Sequence, residues 1–178
     1  MAGHAVLADE KLRHAFCGDI GFLRYSGVRT VVVHDGGPHP PIRPGEDPAA
    51  LRRYVAGHVQ RGLVGKLNER IPLAVGITGE DCRTLTVRDE ADVLVDTGVV
   101  RVLLDSGRIP VVSSIAYGRD GGIHHLDAAS AAAPLASALR GSLVLPAGAG
   151  AGAGGPAVAA VVDMSLPHAV LRHLHCLG

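Results

Sequence analysis

An α/β domain is what the sequence predicts: a three-layer αβα sandwich around a mainly parallel sheet. Two observations carry this. Short β-branched runs such as Val31-Val32-Val33 and Val111-Val112 alternate with longer segments whose apolar residues recur at helical spacing. The strand runs are continuously apolar, as in strands covered on both faces.

The elements follow in chain order. Leu12, Phe16, Ile20 and Leu23 repeat at helical spacing, so Asp9 to Tyr25 reads as a helix, started by Asp9 and broken by Gly27. Thr30–His34 is a strand. Between Pro38 and Pro48 stand five prolines, which exclude regular structure. Asp47-Pro48 is a helix start, and Leu51, Val55, Val59, Leu63 and Leu67 mark one face to Asn68. Leu73–Ile77 is a strand. Arg83–Val87 and Val93–Val95 are short and paired. Val99–Leu104 is a helical turn closed by Gly107.

Ile109–Ala116 reads as one core strand, followed by a turn at Asp120-Gly121. Asp127–Leu139 is a helix, with Pro134 an awkward member. Ser142–Pro146 and Ala157–Asp163 are strands, and Pro167–His175 closes the chain as a helix. Residues 147–155, alanine and glycine throughout, read as a linker inside a single domain, 1–178.

Composition narrows the function classes. The 178 residues suit one domain, and 47% hydrophobic residues fit a globular core. A formal net charge of +0 gives no footprint for nucleic acid or anionic membrane. No apolar run has the length of a membrane span, and the N-terminus lacks a signal-peptide pattern, so a cytoplasmic location is expected. Cys17, Cys82 and Cys176 show no metal or redox spacing and are expected to be reduced thiols.

The strand at Val31–Val33 runs into His34-Asp35-Gly36-Gly37-Pro38, where bare backbone can curl around a small group. Gly76-Ile77-Thr78-Gly79-Glu80-Asp81 and Gly107-Arg108-Ile109-Pro110-Val111-Val112-Ser113-Ser114-Ile115-Ala116 follow. In this order the three segments resemble the HGGGP, GLSGED and GRIPVVSSIA motifs of the N-acetylglutamate kinase branch of the amino acid kinase family. Leu166-Pro167-His168-Ala169-Val170-Leu171 is similar to the closing VPHAVL of that branch.

The resemblance implies a reduced amino acid kinase-like fold and a homodimer through the helix spanning 48–68. It implies a substrate site at His34, Gly36, Gly37, Gly79, Ser113 and Ser114. Arg43, before the long helix, stands where an arginine of the family grips a carboxylate; a solvated loop arginine is the competing reading.

Several family features are missing. The resemblance puts the strand carrying one phosphoryl-stabilising lysine before residue 1, and the Ala/Gly linker in place of the nucleotide-binding half. Only Lys11 and Lys66 are lysines, and both fall on helices away from the expected places. The NVNAD motif aligns with His125-Leu126-Asp127-Ala128-Ala129, its aspartate at Ala129; a shifted register puts it at Asp127. Ordinary ATP-dependent transfer, which rests on neutralising phosphate charge, is therefore disfavoured. The expected reading is a pseudokinase.

Asp35, His124, His125 and Asp127 are new acid/base candidates near one cleft, because histidine titrates near neutrality. Asp35 has a second reading, a turn aspartate bonded to its own backbone. No metal is expected. The function expected is a repurposed enzyme, of specialised metabolism, that transforms a small amino acid or N-acyl amino acid without ATP. Two alternatives stay open: a divergent kinase using ATP and Mg to phosphorylate a side-chain carboxylate, and a non-catalytic binding or regulatory subunit.

Overall fold

The computed structural model describes residues 4–37, 47–69, 72–89, 92–141, 143–146, 158–162 and 167–175. The expected proline-rich loop with Arg43 and the Ala/Gly linker lie outside these residues. So do Cys176 and the side chains of His173 and His175.

A short helix α1 (His4–Ala8) precedes α2 (Glu10–Tyr25). Asp9 starts α2 by accepting from the Lys11 and Leu12 N–H groups at 2.7 and 3.0 Å. Strand β1 (Val32–His34) follows. Asp47 caps α3 (Pro48–Arg52), with Pro48 in the first turn. The long helix continues through a π-helical turn (Arg53–Val59) into α4 (Gln60–Asn68).

The π-helical turn has a physical reason. The apolar stripe on this helix repeats every fourth residue, while an α-helix needs ~3.6 residues per turn, so the stripe drifts by about 40° at each step. The wider turn, in which the Gln60 N–H donates to the Val55 carbonyl, takes up part of that drift. It also turns Gln60 inward. Gln60 is buried, and its Nε2 donates to the Ile77 and Val111 carbonyls at 2.6 and 2.8 Å. Gly76 leaves room for it: a Cβ there would stand 3.1 Å from Gln60 Cδ.

Next come β2 (Ala74–Thr78), a 3₁₀ turn (Asp81–Arg83), β3 (Leu85–Asp89), β4 (Asp92–Val95), α5 (Gly98–Asp105) and β5 (Ile109–Ser113). The rest comprises β6 (Ile115–Gly118), β7 (Ile123–His125), α6 (Ala128–Leu139), β8 (Leu143–Pro146), β9 (Val158–Val162) and α7 (Ala169–His175).

The main sheet is parallel, in the order β1-β5-β2. Val32 and Val111 face α2, α4 and α7 in one core with Phe16, Ile20, Leu63, Leu67 and Val170. Val33, Val112 and Ile77 face α5 and α6 in another, with Val100, Ala131 and Leu135. The expected three layers are present.

The expected single strand from Ile109 to Ala116 is two. The chain leaves the main sheet at Ser114, whose N–H donates to the His34 carbonyl at 2.9 Å and whose carbonyl accepts from Leu126 at 3.0 Å. Ile115 then enters a second, mixed sheet, β4-β3-β6-β7, in which only β3 and β6 are parallel. A two-stranded parallel sheet, β8-β9, completes the strands.

Gly79 is the junction between the two larger sheets. Its N–H donates to Ser113 and its carbonyl accepts from Leu85. A Cβ there would lie 2.5 Å from the Ile115 carbonyl oxygen and 2.7 Å from Leu85 Cδ1. The carbonyl is backbone and cannot swing aside.

At the far end, α7 is tied to α2. The fully buried Asp19 accepts from His168 Nδ1 at 2.6 Å and from the Val170 and Leu171 N–H groups at 3.2 and 3.3 Å. Among the described residues no helix is long and apolar enough to cross a membrane.

Gly79→Ala is expected to destabilise the protein by about 2 kcal/mol through overpacking, read as a lower urea midpoint at unchanged slope. An unchanged midpoint would mean that the junction can move.

Candidate functional site

In open α/β sheets, ligands collect beyond the carboxyl ends of the parallel strands. Here that edge is polar. His34 ends β1, Ser113 ends β5 and Thr78 ends β2, and the register aligns His34 with Ser113 and Thr78 with Ser113. Ser114 continues from β5. His125, at the end of β7, is paired in register with Ile115.

Five atoms at this edge are buried without a hydrogen-bond partner among the described residues: His34 Nε2, Thr78 Oγ1, Ser113 Oγ, Ser114 Oγ and His125 Nε2. Each such atom costs about 1–3 kcal/mol in a folded protein. Buried polar atoms without partners call for an explanation, such as a bound water, an ion or a ligand.

Local chemistry holds each group in place. The His34 ring faces its neighbour's carbonyl, with Nδ1 2.9 Å from the Asp35 oxygen. A carbonyl only accepts, so Nδ1 carries the proton and Nε2 is a bare acceptor. Burial pushes the His34 pKa below its ordinary value, against the pull of the Asp35 carbonyl and carboxylate. Burial likewise lowers the His125 pKa, with Asp35 and Asp127 pulling the other way. Both rings are therefore neutral near pH 7, and electrostatic coupling links each to Asp35 and His34 to His125.

Asp35 is nearly buried, at 8% exposure. Its Oδ1 accepts from the Gly37 N–H at 2.9 Å, which is the turn role expected of an aspartate before glycines. Its Oδ2 accepts from the Ala128 N–H at 3.3 Å, the first residue of α6. The carboxylate thus bridges the loop to a helix N-terminus 93 residues away.

Asp127 caps the same helix. Its Oδ1 accepts from Ala129 and Ser130 N–H groups, both at 2.9 Å, and its Oδ2 from the Ser130 hydroxyl. Burial would raise its pKa, but these hydrogen bonds outweigh it and the net shift is downward.

Of the residues expected at the site, the structure brings together His34, Asp35, His125, Ser113, Ser114 and the start of α6. His124 stands apart, because neighbouring residues on a strand point to opposite faces. Its Nε2 lies 3.2 Å from both Asp120 oxygens in the hairpin turn. Hydrogen bonds from Gly122 and His124 lower the Asp120 pKa.

Gly36 and Gly37 also line a groove of about 640 Å³ between the α1–α2 junction and the long helix, with Arg13, His58 and Lys66. Gly37 needs its freedom, since its φ is +80°. Gly79 acts as a packing junction.

Thr78 and Glu80 were not among the expected residues. The Thr78 N–H donates to Asp81 Oδ2 at 2.7 Å, which fixes the end of β2. Glu80, its side chain 9% exposed, is gripped by Arg52 from the long helix. The signal that could find Thr78 is its register opposite Ser113 at a parallel strand's end.

The α6 N-terminus, the natural phosphate dock at this edge, already faces two carboxylates. Lys66 is paired with Glu69 at 2.9 Å, and Lys11 lies on α2. No group of three or more His, Cys, Asp or Glu side chains among the described residues could hold a metal ion.

A model of the amino acid kinase family matches residues 1–146. The chain is 38% identical over 176 residues to an acetylglutamate kinase of Streptomyces griseus, covering 80% of this chain and 56% of that protein. It is 41% identical to that of a Nocardioides species, covering 77% and 54%. The chain thus spans about half the length of these curated relatives.

Among solved structures, smu.665 from Streptococcus mutans aligns with a TM-score of 0.64 at 17% identity, covering 81% of this chain and 68% of that one. The N-acetylglutamate synthase of Neisseria gonorrhoeae, complexed with coenzyme A and N-acetyl-glutamate, aligns with a TM-score of 0.59 at 21% identity, covering 79% and 38%. These structures share the fold.

Neutral, buried histidines make stability depend on pH. Their folded pKa values lie below the ordinary 6.5, so the unfolded chain binds more protons between the two. The stability is fully present above that value and is lost as pH falls through it. The melting temperature is expected to drop from about pH 7.5 to about pH 5, and His125→Gln to flatten the drop. A flat profile in the parent protein would contradict neutral burial.

Proposed function

The chain belongs to the amino acid kinase family, and from that premise we propose that it binds a small N-acyl amino acid and transforms it by acid/base chemistry without ATP. The observation that carries the reading is the row of five unpartnered polar atoms at the carboxyl edge of β1, β5 and β2.

These atoms supply hydroxyl donors and acceptors and two imidazole nitrogens. An N-acyl amino acid offers a matching mixture: an amide N–H, a carbonyl and a carboxylate. The amide N–H suits the bare His34 Nε2. The carboxylate suits the serine and threonine hydroxyls, and Arg43 is proposed as its partner. The printed ligand of the Neisseria synthase, N-acetyl-glutamate, belongs to the same chemical class.

His125 is the proposed general base. Its pKa is lowered by burial, so it is neutral and able to take a proton at neutral pH. Asp35 then balances the imidazolium that forms, acting through space on the ring. Asp127 positions His125 by fixing the start of α6, and both of its oxygens are engaged in capping. His124 and Gly79 serve the framework.

A second reading has its own support. Identity of 38–41% to acetylglutamate kinases favours a divergent kinase that phosphorylates a carboxylate. A binding or regulatory subunit would use the same edge without turnover.

Titration calorimetry with N-acetyl amino acids and with ATP plus Mg separates these. Binding of an N-acetyl amino acid without nucleotide, with turnover lost about a hundredfold or more in His125→Ala, is expected for the acid/base enzyme. Nucleotide binding and phosphate transfer would replace it with the kinase. Ligand binding without turnover would leave the binding subunit.

We also propose a homodimer through the helix spanning 48–68. Gly57, Gly62 and Gly65 are exposed on it, and a Cβ at any of them would meet nothing within 4 Å. Each helical glycine costs about 1 kcal/mol relative to alanine, which close approach of a second copy would offset. Light scattering is expected to give a dimer for the parent chain and a monomer for Gly62→Trp. A monomeric parent would refute the proposal.

A further inference from the structure

We propose that the groove between the α1–α2 junction and the long helix binds a small aromatic monocarboxylate. The inference goes beyond the strand-end reading and does not rest on it. Gly36 and Gly37 are the residues that the two places share.

The cavity itself is the first support. At about 640 Å³ it has the size of a small-molecule site. The start of α2 forms one wall, with Glu10 and Arg13, and the long helix forms the other. On the helix wall Gly62 and Gly65 are exposed, and a Cβ at either would meet nothing within 4 Å. Glycine inside a helix lowers stability relative to alanine. Here the missing side chains leave the groove open.

The second support is the charge. Lys66 is paired with Glu69 at 2.9 Å, so those two cancel. Arg13 stands on one wall and Arg61 on the other. Arg61 is exposed and makes no hydrogen bond, ion pair or ring contact among the described residues. Arg13 donates from Nη1 to the Leu7 carbonyl at 3.3 Å, which leaves most of its fork of donors for a ligand. Against these two guanidinium groups stands one further carboxylate, Glu10. The balance is a single positive charge, which suits a ligand with a single negative one. A guanidinium clasps a carboxylate through two parallel hydrogen bonds. A second negative charge on the ligand would face Glu10 or Glu69.

The third support is the apolar part. The Tyr54 and His58 rings stack, with centroids 5.6 Å apart and planes inclined by 23°. Both line the groove, and Leu7 and Val59 lie with them. A flat ligand ring can add to this stack at little entropic cost.

The test is titration calorimetry of the full chain with phenylacetate, phenylacetamide and acetate. Phenylacetate carries both the ring and the charge, and each of the others lacks one. It is expected to bind at least about tenfold more tightly than either. Arg61→Gln breaks no contact among the described residues and is expected to weaken phenylacetate about tenfold. Gly65→Leu sends a side chain into the groove and favours the helix, so it is expected to abolish binding in a folded protein.

A second copy packed on the long helix would also cover Gly62 and Gly65, so light scattering accompanies each titration. Phenylacetate that fails to bind the parent, or binds no better than phenylacetamide or acetate, overturns the inference. An unchanged affinity in Arg61→Gln overturns it too. So does binding that survives in Gly65→Leu, whatever the oligomeric state of that variant. Each of these results leaves the strand-end reading standing.

Discussion

Strand β5 is the constraint on which the rest of the structure depends. It is the middle strand of the main sheet, and all five of its residues are buried. Val111 packs toward one helical layer and Val112 toward the other. A strand in that position must satisfy its backbone on both edges and its side chains on both faces. It therefore fixes the positions of β1 and β2, and of the helices above and below. Its exit at Ser114 matters as much. The backbone there is shared with His34 and Leu126, so the ends of β1, β5 and the approach to α6 form one rigid corner. The polar groups of the candidate site all hang on that corner. The framework that builds the core thus also sets the geometry of the edge.

Aspartates at helix N-termini tie the framework together. Asp9, Asp47 and Asp127 cap their own helices, a local effect. Asp19 and Asp35 do the same job across the fold. Asp19, from the middle of α2, receives the first turn of α7, and Asp35, from the β1 loop, receives the first N–H of α6. Each long-range cap joins segments more than ninety residues apart. A buried carboxylate removed from water is costly unless its hydrogen bonds are made, and helix N–H groups make them with favourable dipoles. The two contacts therefore specify which helix end goes where. Asp35 has both a structural duty and an electrostatic one at the same atoms.

Much of this was legible in the sequence because it is local. The helix from Glu10, the start at Pro48, the paired β3 and β4, and the Asp120 turn follow from periodicity, capping and turn chemistry. The parts that were not legible depend on distant partners. Ile109 to Ala116 is uniformly apolar apart from Pro110 and two serines, and nothing in it marks Ser114 as the point where one sheet ends. The π-helical turn follows from the stripe's four-residue spacing, yet Gln60's inward face needs Gly76 opposite it. His124 and His125 read as equals in sequence. Strand alternation separates them, sending one to Asp120 and leaving the other at the site edge. Asp35 showed its turn role in the Asp-Gly-Gly run, while its bond to Ala128 could come only from the fold.

The sign of the charge at this edge follows from those same contacts. Burial keeps both His34 and His125 neutral, although a carboxylate sits beside them. Ordinarily Asp35 would draw a proton onto one of these rings. That pull acts on both rings, but the cost of burying a charged imidazole outweighs it. The result, among the described residues, is an edge with two neutral imidazoles and two carboxylates, Asp35 and Asp127, bonded to the start of α6. Such an edge favours ligands through hydrogen bonds, with directional demands at His34 Nε2 and the hydroxyls. A site that worked by neutralising phosphate would need the opposite arrangement, a helix end left open and cations turned inward.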